Sequence, residues 1–329
     1  MDYTSEGYVD FEAFAPDLKK AEQQKKIVKN ELCGEYYQGY WVFDNGMEYF
    51  LKVPNYYALD DEKIKKRIYT EILLEELAMN AGLNVIETKV ALLDKKNHLL
   101  GMMSQSYLRD GYRICPGSEI VYDYLDFLEK SKDPFTKKSP LKLYFQKNRV
   151  EDVLADNKNN YNSLEFVWAS LLYHFRNSKN KLALVEAIMQ KLTKRYIFQF
   201  LMMQQDYHLK NWEILETDNL AFLSPMYDLD MGFHDCFNSK RNNSMRSYMN
   251  PVDSVYEDFK RFYESSSIEI KEEVNKQLSL LTPEVILNCM MIIESKYRYT
   301  FPRDFKDTFL QKYTLHYDKL KELTKSYHL

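Results

Sequence analysis

The stretch Asp206-Tyr207-His208-Leu209-Lys210-Asn211, followed by Ala221-Phe222-Leu223-Ser224-Pro225-Met226-Tyr227-Asp228-Leu229-Asp230, decides how this sequence is read. It comes directly after Leu182 to Met203, a strongly apolar run of helical character, so dense polarity begins where a helix ends. Between its halves, Trp212 to Leu215 and Leu220 to Leu223 are short apolar runs flanking a turn at Asp218 and Asn219. Helix, polar loop and hairpin in that order would return Asp228 to the neighbourhood of Asp206 and Asn211. Two hard oxygen ligands and a nearby carboxylate base would then converge, as Mg2+ chemistry requires. Taken alone, Asp206 to Asn211 reads as a solvated loop.

Working outward, Tyr40 to Phe43 and Met47 to Val53 are aromatic and β-branched runs joined through Asn45-Gly46, a dipeptide that favours a type I′ hairpin turn because both central residues need positive φ. Glu62 to Ala81 has apolar residues at Ile64, Ile68, Ile72, Leu73 and Leu77, with Gly82 as a stop, and predicts a helix. Val85 to Leu93 and Leu99 to Ser104 predict two strands around a turn at Asp94 to His98. Beyond Tyr107 helical periodicity dominates. Ser131 to Pro140 reads as an exposed loop, and Asp156 to Asn162 as a turn region. From Pro251 the pattern is helical, with Pro283 and Pro302 near helix starts. The expectation is an α+β chain in two lobes: a charged arm or short helix over 1–30, a β-rich lobe over 31–106 and a larger, mainly helical lobe over 107–329.

Lys52 lies within the otherwise apolar Phe50-Leu51-Lys52-Val53, where desolvating an unpaired ammonium is costly. An anionic partner is expected. Glu71, between Ile68 and Leu74 on the predicted helix, borders its buried face and could reach that strand. A lysine at a sheet edge snorkelling to water is the plainer alternative.

Composition narrows the function classes. Lys and Arg number 45 against 49 Asp and Glu, a formal charge of -4, so no global basic excess points to direct nucleic-acid binding. The four cysteines, Cys33, Cys115, Cys236 and Cys289, have neither zinc-ligand nor disulfide-framework spacing, which fits a reducing cytoplasm. The N-terminal residues do not read as a secretory signal, and apolar runs such as Cys289 to Ile293 are too short to span a bilayer. His98, His174, His234, His316 and His328 show no pairs at ligand spacing. Met202, Met203, Met290 and Met291 read as packing.

The motifs together resemble the catalytic core of HipA-type serine/threonine kinases, whose pattern is D-x-H-x-K-N and later L-A-P-x-Y-D. Glu71 to Val85, with Ala81-Gly82-Leu83-Asn84-Val85 at its end, is similar to a further segment of that family, and Phe50-Leu51-Lys52 to its strand lysine. The resemblance spans about Gly34 to Phe233. It implies a two-lobed protein-kinase-like fold, ATP and Mg2+ as cofactors, a protein substrate and an antitoxin-like regulatory partner. It further implies that Asp206 is the base or orienter of the substrate hydroxyl, and that Asn211 and Asp228 are Mg2+ ligands, with Asp230 as an alternative to Asp228. Lys52 becomes the phosphate contact with Glu71 as its partner; His208 braces the loop and Lys210 neutralises the transferred phosphoryl. Met103 to Tyr107, including Gln105, resembles the strand whose backbone meets adenine.

One departure concerns the phosphate loop. Gly34-Glu35-Tyr36-Tyr37-Gln38-Gly39 has two glycines but no Ser or Thr, and a tight turn explains them as well as a phosphate cradle does. Control by serine autophosphorylation there is therefore not expected; Ser244 and Ser247, near the basic Lys240, Arg241 and Arg246, are the first alternatives. Because D-x-H-x-x-N followed by Asp also looks like the phosphoinositide kinase core, a lipid or small-molecule kinase is the second reading. A catalytically silent nucleotide-binding module is the third.

Overall fold

The structure, a computed structural model, describes residues 3–11, 27–30, 37–56, 61–108, 111–130, 164–203, 209, 211–217, 220–229 and 252–325. Asn45 and Gly46 take φ of 50° and 75°, as the type I′ turn requires, and join β3 (Tyr37–Asp44) to β4 (Met47–Pro54). This hairpin lies in a six-stranded sheet with β1 (Val9–Asp10), β2 (Ile27–Asn30), β5 (Thr88–Asp94) and β6 (Leu99–Gln105), in the order β1-β5-β6-β4-β3-β2. All neighbours are antiparallel except β1, which runs parallel to β5. The first thirty residues, expected as an arm or short helix, thus supply both edge strands. Two and four residues are too few to show alternation, and Lys29 masks the β-branched pair Ile27-Val28.

Alternation along β4 assigns the faces of this sheet. Leu51 packs with Val9, Phe11, Val42, Ala91 and Met103 in one apolar cluster, so the neighbouring Lys52 points to the opposite face. There lies α1 (Asp61–Asn80), which packs on β5 and β6 and buries Ile64, Ile68, Leu73, Leu74 and Leu77. Gly82, at φ 76°, ends it without the strain a Cβ would bring.

The chain divides into two compact units. The first comprises Met1–Leu108, Asp228–Phe237 and Leu278–Glu322, and so adds α7 (Pro283–Tyr297) and most of α8 (Arg303–Lys325) to the sheet and α1. Thr282 caps α7 by accepting from the Val285 N–H, with Pro283 in the first turn. Tyrosines join these parts: Tyr8 donates to the Tyr297 carbonyl at 2.8 Å, its hydroxyl lies 3.0 Å from that of Tyr69, and Tyr299 stacks on Tyr69 at 3.9 Å. Burial raises the pKa of Tyr8, Tyr69 and Tyr299, so the cluster is one of neutral phenols.

The second unit, Arg109–Tyr227, Asn238–Gln277 and Leu323–Leu329, carries a three-stranded sheet in the order β7 (Arg113–Pro116), β8 (Glu213–Glu216), β9 (Ala221–Leu223). β7 is a strand where only helical pattern was expected; at four residues, ending on Pro116, it has no sequence signature and exists by pairing with β8. Around the sheet lie α2 (Gly117–Lys130), α3 (Leu164–His174) and α4 (Lys181–Leu201), whose buried faces share one core with Trp212, Ile214 and Leu223. On α5 (Val252–Ser265), Phe259 stacks flat on Phe200 of α4 at 4.0 Å. Among the described residues no single helix is long and apolar enough to cross a membrane. The bent pair α6 (Ile268–Leu280) and α7 passes by length and composition only, and buries Val274, Leu278, Ile286, Met290 and Ile293 in the protein.

Candidate active site

Lys52 lies on β4, opposite Gly39 on β3 and Met102 on β6. Its face of the sheet meets α1, and its ammonium lies 3.4 Å from Glu71 Oε1 and 2.8 Å from Asp228 Oδ1. The lysine thus bridges a buried carboxylate and one that is 37% exposed. Glu71 is 3% exposed; its Oε2 is buried without a hydrogen-bond partner. Burial raises the pKa of Glu71 against the pull of Lys52, and the charge of Asp228 raises it further.

A second carboxylate lies one turn along α1. Glu75 accepts from the Thr88 N–H at 2.7 Å and from the Thr88 hydroxyl at 2.5 Å, where β5 begins. Burial first, then the neighbouring Glu71, raise its pKa well above the usual carboxylate range. The sequence reading passed over Glu75, although its spacing of four from Glu71 was the available signal. Asp228 itself has φ 60°, a left-handed conformation that aspartate tolerates better than most side chains. That backbone turn is where the chain leaves Tyr227 and presents its carboxylate to Lys52.

Glu71 and Asp228 thus share one ammonium, while burial favours the protonated form of Glu75 beside them. The exposed carboxylate of Asp228 fits Mg2+, because that ion takes hard oxygen ligands. It also fits a phosphate chain at Lys52, whose ammonium is held but not enclosed.

The remaining expected residues fall in several places. Asn211 is buried in the second unit, directly before Trp212. The Gly117 N–H donates to the Trp212 carbonyl at 2.9 Å, and a Cβ on Gly117 would stand 2.3 Å from the Trp212 ring. Only glycine lets α2 start against that indole, a requirement with no local sequence signal. After β9, Arg195 of α4 donates from Nη2 to the Ser224 carbonyl, four residues before Asp228. Met103 is buried in β6, Gln105 ends that strand opposite Tyr49, and Tyr107 follows it. Gly39 lies within β3, opposite Asn30 and Lys52, so it is a strand residue. Gly34, Asp206, His208, Lys210, Asp230, Lys240, Arg241, Ser244, Arg246 and Ser247 lie outside the described residues.

The architecture is the two-lobed α+β fold of kinases. It is similar over 91% of this chain and 97% of the other to a Helicobacter pylori proinflammatory kinase, CtkA, at 14% identity and a TM-score of 0.56. The Shewanella oneidensis toxin HipA, solved with HipB and operator DNA, matches 95% of this chain and 70% of its own at 13% identity and a TM-score of 0.50. No curated protein matches the sequence. Residues 146–282 match the family model of the HipA-like C-terminal domain. This stretch is therefore similar to a HipA-like C-terminal domain, within a chain that has a kinase fold, as the motifs indicated. The matched stretch includes Asp206 to Asn211 and Asp228; Lys52 and Glu71 precede it.

Proposed function

We propose that the protein is an ATP- and Mg2+-dependent kinase that phosphorylates a serine or threonine hydroxyl of a protein. The observation that carries this reading is Lys52 held between Glu71 and Asp228. Glu71 fixes the ammonium from the buried side, so Lys52 can present N–H donors to phosphate oxygens without reorganising. Asp228 offers its carboxylate to Mg2+, which supplies neutralisation of the charge developing on the transferred phosphoryl. Asn211 is the second ligand residue in this reading, with Asp230 the alternative to Asp228. Asp206 orients the attacking hydroxyl, His208 braces its loop and Lys210 faces the phosphoryl. The backbone of Met103 to Tyr107 receives adenine, and the segment from Gly34 to Gly39 lies nearest the phosphates. The unit with Lys52 and Asp228 binds the nucleotide in this reading, and the second unit binds the substrate. By analogy with the HipA structure, solved with HipB, an antitoxin-like protein is the regulatory partner.

The test is incubation of purified protein with γ-labelled ATP and Mg2+, alone and with a cell lysate. Label on serine or threonine of a protein, dependent on Mg2+ and lost in Asp228→Asn, is expected. Label in a lipid or small molecule would move the assignment to the second kinase class. No transfer, with nucleotide still bound, would leave a silent binding module.

A further inference from the structure

The second unit brings together a thiol, an imidazole and a carboxylate that sequence spacing kept apart. Arg113 and Glu216 are direct partners across β7 and β8, and Cys115 is the opposite of Ile214. Residues two apart on a strand share a face, so Arg113, Cys115 and Glu216 point the same way. His174, the last residue of α3, reaches the same point. Cys115 Sγ, a ring nitrogen of His174 and a carboxylate oxygen of Glu216 all lie within 4.8 Å of one another. Cys115 is 6% exposed, and the side chains of His174 and Glu216 are 14% and 11% exposed.

Within the group Glu216 is shared. One oxygen bonds His174 Nε2 and the other Arg113 Nη2, the latter at 2.6 Å. Burial would raise the Glu216 pKa, but His174 and Arg113 outweigh it and hold the carboxyl down to about 2. The thiol is the opposite case: burial, then the Glu216 charge, push it up to about 11. An ion-pair chain of Arg113, Glu216 and His174 is complete without a cysteine, and a buried cysteine is often only a small apolar filler. In that reading the thiol only hydrogen-bonds Glu216; yet its sulfur also stands within 4.8 Å of the imidazole, so that three donors of different kinds face one point.

We propose that Cys115, His174 and Glu216 bind a divalent transition-metal ion of the zinc class. Sulfur, nitrogen and oxygen donors in one set suit Zn2+ and not Mg2+, which takes oxygen ligands. The ion replaces the proton between His174 Nε2 and Glu216 Oε1, with the imidazole carrying its proton on Nδ1. The Cys115 thiol releases its proton to solvent as the metal–sulfur bond forms. Arg113 stays on the far oxygen of Glu216 and orients the carboxylate, as outer partners of metal ligands do. Three protein donors leave a tetrahedral ion one position for water. The ion ties β7, α3 and β8 together, and is independent of the Mg2+ site proposed at Asp228.

The probe is Co2+, followed by Zn2+, added to the full chain after chelator treatment. One equivalent of Co2+ should give a thiolate-to-metal charge-transfer band that Zn2+ bleaches and Mg2+ does not. Cys115→Ser should abolish the band; Cys33→Ser, Cys236→Ser and Cys289→Ser should keep it. His174→Gln should weaken Co2+ binding at least tenfold, and it carries the test if Cys115→Ser does not fold. Zn2+ should raise the thermal midpoint of the wild type and leave that of His174→Gln unchanged. No band in the wild type, a band persisting in Cys115→Ser, or equal affinity in His174→Gln would each overturn the proposal and leave an ion-pair chain only.

Discussion

Two long helices, α1 in the first unit and α4 in the second, each bury a pair of polar side chains one turn apart, and the pairs work differently. On α1 they are Glu71 and Glu75, on α4 Arg195 and Gln199, all under a tenth exposed. The α1 pair is carboxylic, and one lysine ammonium serves both Glu71 and Asp228. On α4 the guanidinium grips a main-chain carbonyl, that of Ser224. The first helix carries electrostatics to a site; the second holds a chain segment in place. Substitutions on α1 should therefore cost function more than stability, and on α4 the reverse.

The largest effect is expected at the carboxylate that α1 and β4 surround. Asp228→Asn keeps a side chain that tolerates the left-handed backbone, so folding should be retained. Phosphoryl transfer should fall by about 10²- to 10³-fold, as for loss of one preorganised electrostatic group. Rate measurement with labelled ATP checks this; unchanged turnover would remove Asp228 from its role.

Next comes α4. Arg195→Met preserves length and apolar volume but leaves the Ser224 carbonyl without its donor, which should cost about 2 to 3 kcal/mol of stability. Urea unfolding measures it, and a loss under about 0.5 kcal/mol would show that the guanidinium is not the anchor.

A smaller, shared effect is expected for Lys52→Met and Glu71→Gln. If both disable one interaction, the double variant should lose less activity than the product of the singles, by a coupling of about 1 to 2 kcal/mol. Strict additivity would separate Lys52 from Glu71 functionally despite their proximity.

The smallest effect concerns Glu75 and pH. Its folded pKa is raised, so the protonated carboxyl is favoured by folding. Its contribution to stability is intact below the ordinary carboxylate range and is lost as pH rises through the folded value. Glu75→Gln cannot ionise and can still accept from the Thr88 N–H. Unfolding curves should nearly coincide near pH 4 and favour the variant by about 1 kcal/mol at pH 8. A variant less stable than wild type at both pH values would show that Glu75 serves as a carboxylate.

Legibility in the sequence followed the strength of local pattern. The Asn45-Gly46 turn, the α1 period and the run that became α4 were readable because each repeats a backbone geometry over many residues. β1, β2 and β7 were not, since two to four residues cannot display alternation and depend on partners far along the chain. That Lys52 needs an anion could be argued from desolvation alone. Glu75, Gly117 and Arg195 were passed over because their roles are set by Thr88, Trp212 and Ser224, contacts fixed only on folding. Cys115, His174 and Glu216 are the extreme case, with neighbours 59 and 42 positions apart in the chain.

The itinerary of the chain has a practical consequence. It visits the first unit three times, in Met1–Leu108, Asp228–Phe237 and Leu278–Glu322. A fragment cut at Leu108 would keep Lys52 and Glu71 but lose Asp228, together with Tyr297 and Tyr299, which cover Tyr8 and Tyr69. Its tyrosines would be left as an adhesive apolar patch. No single scissors cut separates this protein into two self-sufficient pieces, and any split-protein reporter built on it must supply the distal helices in trans.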